Sequence, residues 1–135
     1  MILIDANVFM YAGGRPHPHK APSLALLRRL AAGEVEGAVD AEALQEILHR
    51  YRSLGRWKEG RSVYDTARGV ASAVIPITVE VLDAARAMMD LHPRLTTRDA
   101  VHAAVCRLHE MEAICSYDRD FDGLAGLTRR EPDGV

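Results

Sequence analysis

Apolar positions along this chain follow two rhythms: short unbroken runs, and stripes that recur at helical spacing. Ile2-Leu3-Ile4 is a short apolar run closed by polar Asp5, which reads as a buried strand. Gly13 to Pro18, rich in Gly and Pro, reads as a loop. From about Lys20 to Ala32, Leu24, Leu27 and Leu30 recur at helical spacing, and Gly33 is placed to close that helix. Gly37-Ala38-Val39 forms a second, weaker strand signal. Asp40 is positioned to cap a helix whose stripe is Leu44, Ile47, Leu48 and Tyr51, ending at Gly55. A further helix is expected from about Lys58 to Ala71, then a strand from Val74 to Ile77. Thr78 caps a helix with Val81, Leu82, Ala85 and Met89 on one face, stopped by Pro93. Thr97 to Glu110 carries the stripe Val101, Ala104, Val105 and Leu108. Ala113-Ile114-Cys115 is another short strand, and Leu127-Thr128 a last one. Short apolar strands separated by helices predict a parallel sheet covered on both faces, a three-layer α/β/α domain.

Composition narrows the class. The 135 residues suit one domain over 1–135, with a tail from about residue 130 expected to be flexible. At 48% apolar and 27% charged, the chain is not of disordered composition. Its longest uncharged stretch, Gly69 to Val79, is interrupted by Pro76 and is too short to span a bilayer. Met1 runs straight into Ile2-Leu3-Ile4 with no basic start, so no signal peptide is expected. Two cysteines, Cys106 and Cys115, make no metal-type pair and suit a reduced, cytoplasmic protein. The net charge of −2 is uninformative, but Arg50, Arg52, Arg56, Lys58 and Arg61 fall close together while acids gather near the end. A basic run beside an acidic pocket suits a polyanionic substrate, although a solvated helix face accounts slightly better for any one of these arginines.

The acids carry the chemistry. Open parallel sheets bind ligands at the carboxyl ends of their strands, and two strands here run into acids, Asp5 and, through Ser116, Asp118. Were those strands neighbours, two carboxylates would converge within reach of one cation. Each taken alone is better read as a turn residue. Asp99 reads first as a helix-start acid in Thr96-Thr97-Arg98-Asp99, a position that also suits a ligand for a hard cation. Glu46 lies nearly opposite the apolar stripe of its helix, so periodicity makes it solvent-facing. The six histidines are scattered; His102 and His109 are seven apart, not the i, i+4 spacing of a helical metal pair, and all six are set aside as ligands. The stretch SYDRDFDG at Ser116 to Gly123 matches the first half of a calcium loop, D-x-D-x-D-G. That reading fails, because the twelfth position is Arg129 and the loop follows a strand. No phosphate-binding G-x-x-x-x-G-K-[ST] loop or G-x-S-x-G elbow is present.

In four segments, MILIDANVFMYA, ALQEILHRY, TTRDAVHAA and ICSYDRDFDG, the chain resembles the PIN-domain ribonucleases, and most closely the VapC toxins of toxin–antitoxin pairs. The resemblance runs from Met1 to about Leu127 and rests on four acids in order rather than on one specific motif. It matches Asp5, Glu46, Asp99 and Asp118 to the four catalytic acids, and Asn7 and Ser116 to supporting polar positions. Asp122 lies where only some members carry a fifth carboxylate, and Asp120 matches no functional position. The resemblance implies metal-dependent hydrolysis of RNA, with Mg²⁺ or Mn²⁺ held by Asp5, Asp99 and Asp118, and by Glu46 directly or through water. It further implies a VapB-type antitoxin partner and a homodimer, to which Trp57 could contribute, although packing is the better role for that residue. Two rivals remain. One is a PIN nuclease of RNA processing outside any toxin pair. The other is a phosphate-handling signalling domain, which would want a lysine beside the acids; Lys20 and Lys58 follow no strand end.

Overall fold

In a computed structural model, which describes residues 1–135, the chain forms five strands and six helices. Their order is β1 (Ile2–Ile4), α1 (Ala6–Ala12), α2 (Lys20–Ala31), β2 (Gly37–Asp40), α3 (Ala41–Ser53), α4 (Trp57–Val70), β3 (Ala73–Ile75), α5 (Val79–Leu91), α6 (Thr97–Leu108), β4 (Ile114–Cys115) and β5 (Arg129–Arg130). Every strand pair is parallel, and the sheet order is β3-β2-β1-β4-β5. The predicted three-layer α/β/α fold is the one observed.

Period-two alternation in the strands divides the core. Ile2, Ile4 and Val39 pack with Leu26, Leu30, Ile47 and Tyr51 under α1 to α4. Leu3, Ala38 and Ile114 pack with Val81, Ala85, Val101 and Val105 under α5 and α6. The two faces therefore bury separate stripes, which is why short strands suffice.

Three elements differ from the pattern. Helix α1 was not visible as a stripe, since seven residues are too few to show one, yet Val8, Phe9 and Ala12 are buried on it. Strand β3 ends at Ile75 rather than Ile77, because Pro76 has no amide to donate. Strand β5 lies two residues beyond Leu127-Thr128. Edge pairing needs only backbone, and the Thr128 and Arg130 carbonyls accept from Ile114 and Ser116 amides at 2.8 and 3.0 Å. The chain then turns so that the Val135 carbonyl accepts from Arg29 Nη1 at 2.6 Å.

Helices α3 and α4 form a hairpin that turns at Gly55, whose φ of 67° favours glycine. At Gly60 a Cβ would lie 2.5 Å from Tyr51 Cβ, so glycine is what lets α4 come this close. Trp57 is half-buried at the hairpin, with the Arg52 guanidinium 4.2 Å from its ring centre. No helix is long and apolar enough to cross a membrane.

The sheet order reverses beside β1: β2 and β3 are added on one side, β4 and β5 on the other. This switch point opens a crevice at the carboxyl ends of β1 and β4, where ligands enter such sheets.

Candidate active site

Strands β1 and β4 are neighbours, paired Leu3 to Ile114 and Ile4 to Cys115. Asp5 and Ser116 therefore leave the sheet side by side. Ser116 Oγ donates to Asp5 Oδ2 at 2.5 Å, and Asn7 Nδ2 donates to the same oxygen at 2.8 Å. The serine hydroxyl in turn accepts from Asn7 Nδ2 at 3.0 Å and from the Asp118 amide at 2.9 Å. One hydroxyl thus fixes the Asp5 carboxylate and the turn that carries Asp118. Asp5 is only 6% exposed. Burial raises its carboxyl above the ordinary range, against the opposing pull of the His102 charge and the Ser116 bond.

Glu46 projects from α3 and is half-buried rather than free in solvent. The polar face of α3 looks across the crevice at the start of α6, where Arg98 reaches Glu46 at 3.1 Å and Glu42 at 3.3 Å. Burial and the charge of Asp5 raise the Glu46 carboxyl, with Arg98 opposing. Asp99 sits in the first turn of α6, its amide donating to Thr96 Oγ1 at 3.2 Å. Burial raises its carboxyl too; the Thr96 bond opposes this, while the charges of Asp118 and Asp5 reinforce it.

The side chains gather in two groups, Asp5 with Glu46 and His102, and Asp99 with Asp118 and Asp120; within each, one ligand-capable atom per residue lies within 4.8 Å of the others. Both groups line one cleft of about 480 Å³, completed by Asn7, Thr96 and Arg98, with no hydrophobic side chain in its wall. All four acids of the sequence reading meet there. Asp122 does not; it is tied to Arg129, Oδ1 accepting from Nε at 2.7 Å. Asp120 does, though it is exposed.

The residue that pattern reasoning missed is His102. It is 1% exposed, and its Nδ1 lies 2.6 Å from Oδ2 of the fully buried Asp40. The other Asp40 oxygen accepts from the Ala43 amide at 2.8 Å, capping α3 as predicted. Burial pulls the His102 pKa down, but the Asp40 bond and the charges of Asp40, Asp5 and Glu46 outweigh it and lift it to about 9. Comparing His102 with His109 hid the relevant spacing. Asp99 and His102 are i, i+3 on α6 and share a face.

Clustered carboxylates, with the proton affinity of Asp5, Glu46 and Asp99 raised, in a wall rich in oxygen atoms, fit a divalent cation. By contrast, Cys106 and Cys115 are buried thiols pushed up to about 12, unsuited to this chemistry. A second cleft of about 610 Å³ shares Asn7, Glu46 and Arg98 with the first and carries Arg15, His17, His49, Arg50 and Arg56. Of the basic run, only Arg50 and Arg56 face it, and Arg56 is paired with Glu59. Lys58 and Arg61 line a separate shallow cleft.

Residues 2–127 match the PIN domain family, and the chain belongs to that family. It is 38% identical over 129 residues to "Ribonuclease VapC13" of Mycobacterium tuberculosis, covering 96% of this chain and 98% of that protein. The fold is shared with M. tuberculosis VapC20, at a TM-score of 0.77 and 16% identity over 95% of this chain and 97% of that one. It is shared as well with a toxin–antitoxin complex from Klebsiella pneumoniae, at a TM-score of 0.68 and 18% identity over the whole of both chains.

Proposed function

We propose that this protein is a divalent-cation-dependent endoribonuclease and the toxin of a VapBC-type toxin–antitoxin pair. The observation that carries the reading is the meeting of Asp5, Glu46, Asp99 and Asp118 in one polar cleft, in a chain 38% identical to a VapC ribonuclease. Asp5, Asp99 and Asp118 would hold Mg²⁺ or Mn²⁺, with Glu46 contributing directly or through water. When bound, the cation supplies a lowered water pKa and charge compensation on the phosphate. The chain's own residues do the positioning. Ser116 and Asn7 hold the Asp5 carboxylate in one orientation, so the site is set before substrate arrives. Arg98 stands where the two clefts join, able to exchange Glu46 for an RNA phosphate. Arg15 and Arg50 line the path along which a single strand would continue. The partner is an antitoxin that covers the acidic cleft, and the toxin acts as a homodimer in the cytoplasm; the fold shared with a chain of a toxin–antitoxin complex supports the first of these.

The test is cleavage of an end-labelled single-stranded RNA with Mg²⁺ or Mn²⁺. Cleavage should stop with EDTA and should fall at least about 100-fold in Asp5→Asn, more than loss of an outer-shell group costs. Induced expression should arrest growth, and co-expression of the neighbouring antitoxin gene should relieve it. Unchanged, EDTA-resistant cleavage by Asp5→Asn would overturn the assignment.

A further inference from the structure

His102 holds the one buried side-chain nitrogen in the protein without a hydrogen-bond partner, Nε2. That atom belongs to a ring 1% exposed, on the wall of the acidic cleft. A buried polar atom left unpaired needs a physical reason, and a bound ion is one that a cleft wall of carboxylates favours. The ring's other nitrogen is fully committed. Nδ1 lies 2.6 Å from Asp40 Oδ2, and Asp40 is itself immobilised by the Ala43 amide. A carboxylate that accepts the Nδ1–H bond fixes the ring from behind, as in metal-binding histidines, so that a cation displacing the Nε2 proton would meet that nitrogen's lone pair.

We infer that His102 Nε2 is a metal ligand, forming with Asp5 and Glu46 a mixed nitrogen–oxygen position for a divalent transition cation. The proposal rests on the reading of this cleft as a divalent-cation centre. It adds to the position held by Asp5, Asp99 and Asp118 an unlike second one that shares Asp5. Asp99, Asp118 and Asp120 offer oxygen alone, which suits Mg²⁺; Asp5, Glu46 and His102 add an imidazole, which suits a transition ion better than Mg²⁺. The spacing agrees. Ligand atoms about 2.1 Å from one ion lie within roughly 4.2 Å of each other; one oxygen each of Asp5 and Glu46 and one ring nitrogen of His102 lie within 4.8 Å, so the three residues need close by only a fraction of an ångström. Glu46 can make that movement by leaving Arg98, whose second partner, Glu42, remains. The competing role for the ring is an imidazolium that neutralises Asp5 and Glu46 and touches no metal.

Mn²⁺ is the probe. Titrated into the full-length protein freed of metal, it should give bound-Mn²⁺ electron paramagnetic resonance with ¹⁴N modulation from a coordinated imidazole. In His102→Gln the modulation should vanish and Mn²⁺ affinity by calorimetry should fall about tenfold or more, while Mg²⁺ affinity changes less than about twofold. Asp40→Asn, which keeps the ring, should retain the modulation and weaken Mn²⁺ binding. If His102→Gln does not fold, the wild-type spectrum and Asp40→Asn decide. Tight Mn²⁺ binding without ¹⁴N modulation, or modulation that survives in His102→Gln, overturns the proposal and leaves the ribonuclease reading on its oxygen ligands. Failure of wild type to bind either ion overturns both.

Discussion

Ser116 has no exposed surface and no charge, yet its hydroxyl serves Asp5, Asn7 and the Asp118 amide at once. Its removal would leave Asp5 with one fewer donor and Asp118 on an unfixed turn, although neither acid itself is altered. Ser116→Ala is therefore expected to lower RNA cleavage and cation affinity by about 10- to 100-fold, the usual cost of losing a group that orients a ligand. Asp122→Asn should leave both within about twofold, because its carboxylate is spent on Arg129 outside the cleft. Side-by-side calorimetry and cleavage of the two variants checks this; an Asp122→Asn loss as large as that of Ser116→Ala would put a fifth acid in the site. At this scale the sequence revealed strand-end acids far better than helix-borne groups. Asp5 and Asp118 stood out because polar residues closed apolar runs. Glu46 was hidden, because a wheel separates buried from unburied but cannot tell a cleft from bulk solvent. His102 was hidden differently: it lies among the buried residues of α6, where pattern reads it only as core.

Helix caps were the most legible elements. Asp40, Thr78 and Thr96 each accept from a first-turn amide, of Ala43, Val81 and Asp99. Thr78 and Thr96 do the same local work but differ in what they position, since the Thr96 bond ends on the backbone of a cleft acid. Thr78→Ala and Thr96→Ala should each lower folding stability by about 1 kcal/mol, measured from urea midpoints. Only Thr96→Ala should also reduce cleavage, because the first turn of α6 then holds Asp99 less firmly. Equal cleavage by the two would mean that α6 is fixed by packing alone. Strand bounds were less legible than caps. Pairing at β5 depends on backbone groups, and Arg129-Arg130 carries no apolar signal. Helix α1 is too short for a stripe and is held by burial of Val8, Phe9 and Ala12, which becomes apparent only once the sheet exists.

Over the whole molecule, charge separation follows the sheet's switch point. Acids collect where β1 meets β4, and arginines line the adjoining cleft between α1, the loop that follows it and α3, with Asn7, Glu46 and Arg98 on the shared border. The net charge of −2 conceals this arrangement, since residues distant in sequence supply both regions. The basic run was legible, but which of its members faces the cleft was not. Arg50 does, Arg52 is laid over Trp57, and Lys58 points to a separate face. If the adjoining cleft guides RNA, each arginine that meets a phosphate releases a counterion, and single-strand binding weakens with salt in proportion to their number. Arg50→Ala should then weaken RNA binding across unrelated sequences and make the slope of log affinity against log salt shallower by about 0.7. Lys58→Ala, removing the same charge outside the cleft, should leave the slope unchanged. Fluorescence anisotropy with labelled RNA, both substitutions placed in the Asp5→Asn background to prevent cleavage, gives the comparison. Equal slopes for Arg50→Ala and Lys58→Ala would show that net charge, not this cleft, attracts the strand.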